Sequence, residues 1–125
     1  MSEELNVLIV DDDPRVAKTL MDILSFKGYQ TEVAFSGMEA LEKVAKVQFD
    51  FVLTDIKMPD MNGVELYRAI KRVQPDIPVV FMTAYSANKL VNEGLQEGAV
   101  AALTKPLNIY DLKEILRKIP QLRLG

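Results

Sequence analysis

The chain has no histidine, no cysteine and no tryptophan. The first absence excludes the most: without an imidazole there is no Ser/His/Asp triad, no common general base near neutrality and no usual zinc ligand set. Nor can the chain carry a phosphohistidine of its own. Lack of cysteine removes disulfides and thiolate chemistry and suits a cytoplasmic location. Positive charge is also short, with 15 Lys and Arg against 18 Asp and Glu and a formal net charge of −3. Nucleic-acid binding calls for a basic stripe that neutralises phosphates, so direct binding of DNA or RNA by this chain is not expected. No apolar run approaches the roughly 20 residues of a membrane span, and the opening "MSEEL" has neither the basic nor the apolar region of a secretory signal. Covalent chemistry is left to a carboxylate, a hydroxyl or a lysine.

What is present fits one domain, since 125 residues can bury a core without staples. Short apolar runs alternate with stretches of helical period, the pattern of repeated βα units around a parallel sheet. Strands are expected near 5-10, 30-34, 50-54, 78-83 and 100-104. Between them Val16, Leu20, Ile23 and Leu24 form one helical stripe, Met38, Leu41, Val44 and Ala45 a second, and Leu66, Ile70 and Val73 a third. Leu112, Ile115, Leu116 and Ile119 mark the last helix. Ser36 with Glu39 has the spacing of a capping box, Asn62 and Asn108 can cap their helices, and Pro14 suits a first helical turn. A helix near 87-96 is expected to be the least stable, because Asn88, Asn92 and Gly94 interrupt it and only Leu90, Val91 and Leu95 are left to bury.

The first, third and fourth runs are almost continuously apolar, as strands covered on both faces must be, whereas "TEVA" at 31-34 mixes in polar residues and reads as an edge. That favours the strand order 2-1-3-4-5 of flavodoxin-like sheets. In such a sheet ligands bind beyond the carboxyl ends of the strands, where the order reverses between strands 1 and 3. Five polar residues stand at such ends. Asp11 and Asp12 close "VLIV", Asp55 closes "FVLT", Thr83 closes "VVFM" and Lys105 closes "AVAALT". Three converging carboxylates repel one another unless one is protonated or a cation joins them, and Mg²⁺ accepts such carboxylates together with a carbonyl and phosphoryl oxygens. A lysine charge and a threonine hydroxyl beside them can cradle a phosphoryl group in flight.

Through "LIVDDDP", "LTDIKMPDMNG", "VVFMTAYS" and "ALTKPL", in that order and spacing, essentially the whole chain resembles the receiver domain of two-component response regulators. The resemblance implies a flavodoxin-like (βα)5 three-layer α/β sandwich over residues 1-120, with 121-125 a tail or the start of a linker. It implies a phosphorylation-dependent signalling switch rather than an enzyme with turnover, one that catalyses its own phosphorylation and slow dephosphorylation. Asp55 would accept a phosphoryl group from the phosphohistidine of a sensor histidine kinase or a histidine phosphotransfer protein. Mg²⁺ would be held by Asp12, Asp55 and the main-chain carbonyl of Lys57, with Asp11 acting through water. Thr83 would bond the phosphoryl group, Lys105 would pair with it, and the bond from Lys105 to Pro106 would be cis.

The sequence departs from that family at Ala102, where most receivers carry an aromatic residue that follows the threonine inward. Movement of Thr83 is then expected to be read through the loop after strand 4 and its weak helix. The apolar "GAVAAL" lacks the acids that help some receivers pair, and the 87-118 face is a candidate surface for an effector domain or downstream protein. Lys57 and Tyr85 flank the path of water to an acyl phosphate, which predicts a long-lived phosphoryl-Asp55. Three other functions compete, one of them a receiver-like interaction domain that is never phosphorylated, against which all five site residues are intact. A Mg²⁺ phosphatase of the haloacid dehalogenase class would use Asp11 and Asp13 as its D-x-D pair, although Arg15 is out of place there. A flavin-binding module of the same fold would need a hydroxyl- and Gly-rich loop where "DDDP" stands.

Overall fold

A computed structural model describes residues 5–84 and 88–117. Five strands, β1 Asn6–Val10, β2 Gln30–Ala34, β3 Phe51–Asp55, β4 Val79–Thr83 and β5 Ala101–Thr104, alternate with five helices, α1 Pro14–Phe26, α2 Gly37–Lys46, α3 Gly63–Val73, α4 Asn88–Glu97 and α5 Ile109–Arg117. The strands form one parallel sheet in the order β2-β1-β3-β4-β5, as the apolar patterning predicts. None of the described helices is long and apolar enough to cross a membrane.

Strand side chains alternate between two apolar clusters, which makes the fold three-layered. Leu8, Val10, Val52, Val79 and Phe81 point to one face, where Ala40 and Val44 of α2, Leu66, Tyr67 and Ile70 of α3, and the half-buried Leu90 and Val91 of α4 cover them. Val7, Ile9, Phe51, Leu53, Val80 and Met82 point to the other, under Ala17, Leu20 and Leu24 of α1 and Leu112 and Leu116 of α5. Five residues of the expected stripes lie on the rim instead: Ile23, Met38, Ala45, Val73 and Leu95 are exposed. Small residues take the contact positions. Ala17 and Ala40 are fully buried, and a Cβ on Gly94 would come 2.3 Å from Phe81 Cε2, so α4 approaches the sheet at a glycine. Ile119 lies outside the described residues.

The helix starts use the expected residues with one change. Pro14 is the first residue of α1 behind an Asp13 cap, and Asn108 Oδ1 accepts the Tyr110 N–H at 2.8 Å. The full reciprocal box is at α3, where Asn62 and Glu65 each accept the other's backbone N–H. At α2, Ser36 Oγ accepts the Glu39 N–H, but the Glu39 carboxylate reaches back to Phe35 N–H, one residue short of the expected box. The last turn of α4 is tied to α3: Tyr67 Oη donates to the Glu97 carbonyl at 2.8 Å, and Arg68 grips the Glu97 carboxylate through Nε at 2.8 Å and Nη2 at 2.6 Å. Gly98, with φ +123°, then closes the helix by donating to Gly94 O.

Candidate functional site

The parallel register brings the polar strand ends to one rim of the sheet. Val10 pairs with Thr54, Asp55 with Met82, and Thr83 with Thr104, so Asp11, Asp55, Thr83 and Lys105 each sit at or one residue beyond a paired end. Asp11 is fully buried, Asp12 exposed and Asp55 8% exposed. One carboxylate oxygen from each lies within 4.8 Å of the others. Lys105 Nζ reaches across from β5 to Asp11 Oδ2 at 2.6 Å and Asp55 Oδ2 at 3.2 Å. Its main chain is fixed by an N–H bond of 2.8 Å to the Thr83 carbonyl, and its bond to Pro106 is cis, as the resemblance implies.

Backbone amides hold the acids in place. Asp11 Oδ1 accepts the Asp13 N–H at 2.9 Å, and the Asp11 N–H donates to the Ala34 carbonyl at 3.1 Å. Asp55 Oδ1 accepts the Ile56 N–H at 2.9 Å, while the buried Thr54 hydroxyl donates to the Asp55 carbonyl. Behind it, Gly63 N–H donates to Ile56 O at 2.7 Å, and a Cβ on Gly63 would stand 2.5 Å from the Asp55 carbonyl oxygen. Only a residue without a side chain lets α3 begin this close to the acceptor strand.

Charge is out of balance within the cluster. Burial, then the Asp11 charge, raise the Asp55 carboxyl above its ordinary value, with Lys105 and the Ile56 N–H opposing. Burial works against the Lys105 ammonium, yet its bond to Asp11 and the nearby Asp55 charge prevail and raise it. Three hard oxygen donors beside one lysine fit a small divalent cation, which would relieve the repulsion that the lysine only partly offsets.

Asp11, Asp12, Asp55 and Lys105 are thus brought together, and half-buried Thr83 stands at the same rim. Lys57 is exposed just beyond Asp55, whereas Tyr85 lies outside the described residues. Ala102 is half-buried opposite Phe81. Thr54, Asp60 and Gly63 were not among the expected site residues; the turn "MNG" held the one signal that could have found the glycine. Asp13 is engaged as the α1 cap, its Oδ1 accepting the Arg15 N–H at 2.9 Å. Beside Lys105 an open groove of about 560 Å³ runs between α1 and the loop after β5, lined by Val16, Leu20, Ile23, Pro106 and Leu107 among others.

Comparisons with known proteins point to one family and one fold. Residues 7–117 match the model of the response regulator receiver domain. The chain is 42% identical over 111 residues to the transcriptional regulatory protein ZraR of Klebsiella oxytoca, covering 89% of this chain and 25% of that one. It is 35% identical over 112 residues to the sporulation initiation phosphotransferase F of Bacillus subtilis, covering 90% of each. Among solved structures, a CheY-like receiver domain protein from Methanospirillum hungatei superposes with a TM-score of 0.88 at 34% identity, covering 97% of this chain and 98% of that one. The chain spans about a quarter of the length of the ZraR relatives it matches. None of these similarities supports the phosphatase alternative.

Proposed function

The chain belongs to the response regulator receiver domains, the phosphorylation-dependent switches of two-component signalling, and from that membership we propose that Asp55 is its phosphoacceptor. The observation that carries the assignment is the position of Asp55: a nearly buried carboxylate at a strand end, with Lys105 Nζ 3.2 Å away and two further acids alongside. The donor is the phosphohistidine of a sensor kinase or of a histidine phosphotransfer protein. An Asp55 oxygen attacks phosphorus as the P–N bond breaks; the imidazole leaves with the bonding pair and takes a proton from solvent. Lys105, released from part of its hold on Asp11, pairs with the phosphoryl oxygens, and the Thr83 hydroxyl donates to one of them.

Receivers bind Mg²⁺ at their acidic pocket, and here Asp12, Asp55 and the Lys57 carbonyl would hold it, with Asp11 acting through water. When bound it supplies positive charge against the phosphoryl oxygens. The groove beside Lys105 offers the donor an apolar seat next to the acceptor. On the other side Leu95 of α4, Val100 just before β5 and Tyr110 of α5 are exposed, which supports the 87-118 face as the surface for an effector domain or downstream protein. We take 1-120 as the receiver and 121-125 as its tail or the start of a linker, working in the cytoplasm.

Incubation with acetyl phosphate and Mg²⁺ followed by intact mass spectrometry tests the proposal. The expected product carries a single base-labile phosphoryl group, absent from Asp55→Asn. Continuous release of phosphate from an ester substrate, or modification that survives Asp55→Asn, would overturn it.

A further inference from the structure

The site as described leaves Asp60 without a task, although it lies on the loop 57–62 that leads away from the acceptor. Its carboxylate crosses to another helix. Oδ1 accepts the Gly37 N–H at 3.2 Å and Oδ2 the Met38 N–H at 3.0 Å. Both amides belong to the first turn of α2, where N–H groups have no partner within the helix and where the helix dipole favours an anion. Burial opposes the charge on Asp60, but these amide bonds prevail and hold its carboxyl below the ordinary value. The adjacent Met61 packs so closely that a Cβ on Gly37 would come 2.3 Å from its Cγ.

These bonds join the two halves of the acidic cluster. From the Asp55 loop, Asp60 reaches α2; just before α2, β2 ends at Ala34, whose carbonyl receives the Asp11 N–H at 3.1 Å. The near end of the loop is fixed separately by the Gly63 N–H on Ile56 O. Resting on the reading of Asp11, Asp12 and Asp55 as the Mg²⁺ site, we propose that Asp60 is a positioning residue for it. Its strut to the first turn of α2 sets the spacing between the Asp11–Asp12 turn and the main chain that follows Asp55.

Calorimetric titration of the whole chain with MgCl2 tests this, comparing wild type, Asp60→Ala, Asp60→Asn and a control, Gln74→Ala. The control removes a bond of equal reach at the opposite end of the same helices, from Gln74 Nε2 to Val44 O at 2.8 Å. Asp60→Ala should weaken Mg²⁺ about 3- to 10-fold, less than the loss of a direct partner of a metal ligand because the effect passes through main chain. Asp60→Asn, which keeps one acceptor oxygen, should fall between, and serves alone if the alanine variant does not fold. Gln74→Ala should lower the melting temperature and leave Mg²⁺ affinity unchanged. Unchanged affinity in both Asp60 variants overturns the strut, as does an equal loss in Gln74→Ala, which would mean general loosening. A wild type that does not bind Mg²⁺ at all overturns the reading of the acidic cluster and this inference with it.

Discussion

Replacing Lys105 by methionine keeps the length and the apolar stem of the side chain while deleting its charge, and the cost can be worked from three distances. Nζ lies 2.6 Å from Asp11 and 3.2 Å from Asp55, whose carboxylates have oxygens within 4.8 Å of each other. Deleting one partner of a buried ion pair costs about 3–5 kcal/mol, because the other charge stays behind. Since the rim opens to solvent at Asp12, the metal-free domain should lose about 2–4 kcal/mol near neutral pH. The sign with pH follows from the two shifts. Asp55, raised by burial and by Asp11, binds more protons folded than unfolded, so stability falls as pH rises from the ordinary carboxylate value to the raised one. Lys105, raised by its bond to Asp11 against burial, contributes stability that is complete below its unfolded value and is lost as pH climbs through the folded one. Without Lys105 the Asp55 carboxyl rises further, so the deficit should be largest at neutral pH and shrink as pH drops into the ordinary carboxylate range. Urea unfolding followed by circular dichroism in EDTA measures this. Mg²⁺, or a second change Asp55→Asn, should recover part of the loss. A Lys105→Met protein as stable as wild type at neutral pH, or one whose deficit ignores pH, would refute the reasoning.

Gly63→Ala places a methyl against main chain at the Asp55 carbonyl; it should cost about 1–3 kcal/mol and slow phosphorylation by acetyl phosphate, and normal rates would show that the strand end yields without harm. Gly94→Ala would gain about 1 kcal/mol in an open helix, but against the Phe81 ring it should lower the melting temperature instead. The double change Lys57→Asn, Tyr85→Ala is expected to speed loss of the phosphoryl group from Asp55, and an unchanged half-life sinks the shielding idea. Phosphorylation should shift amide resonances across 84-96, since Ala102 cannot relay the movement of Thr83; a spectrum unchanged there would send the signal elsewhere.

The site was legible because its logic is written in runs and their ends: an apolar run bounded by an acid, a threonine or a lysine needs only parallel strands to bring those ends to one rim. Helix faces were less legible. Ile23, Met38, Val73 and Leu95 fit the helical period, yet a period does not say how near a helix lies to its sheet, and the contact positions went to Ala17, Ala40 and Gly94. Longer-range ties left no local mark at all. Nothing near Asp60 signals the first turn of α2, and Tyr67 meets the Glu97 carbonyl across thirty positions. The Glu39 carboxylate shows the limit at short range, since one residue of slack in the turn moved its partner from Ser36 to Phe35.

The tie between α3 and α4 has a mechanical meaning. Glu97 is held by its carbonyl and by both carboxylate oxygens, and Gly94 beds on Phe81, whereas the other end of the same helix follows directly from Thr83 and its loop. A rod anchored at one end cannot slide. If phosphorylation moves Thr83, this anchoring would turn the push into a swing about the last turn of α4, with Leu90 and Val91 moving more than Leu95 and Glu97 as the fulcrum.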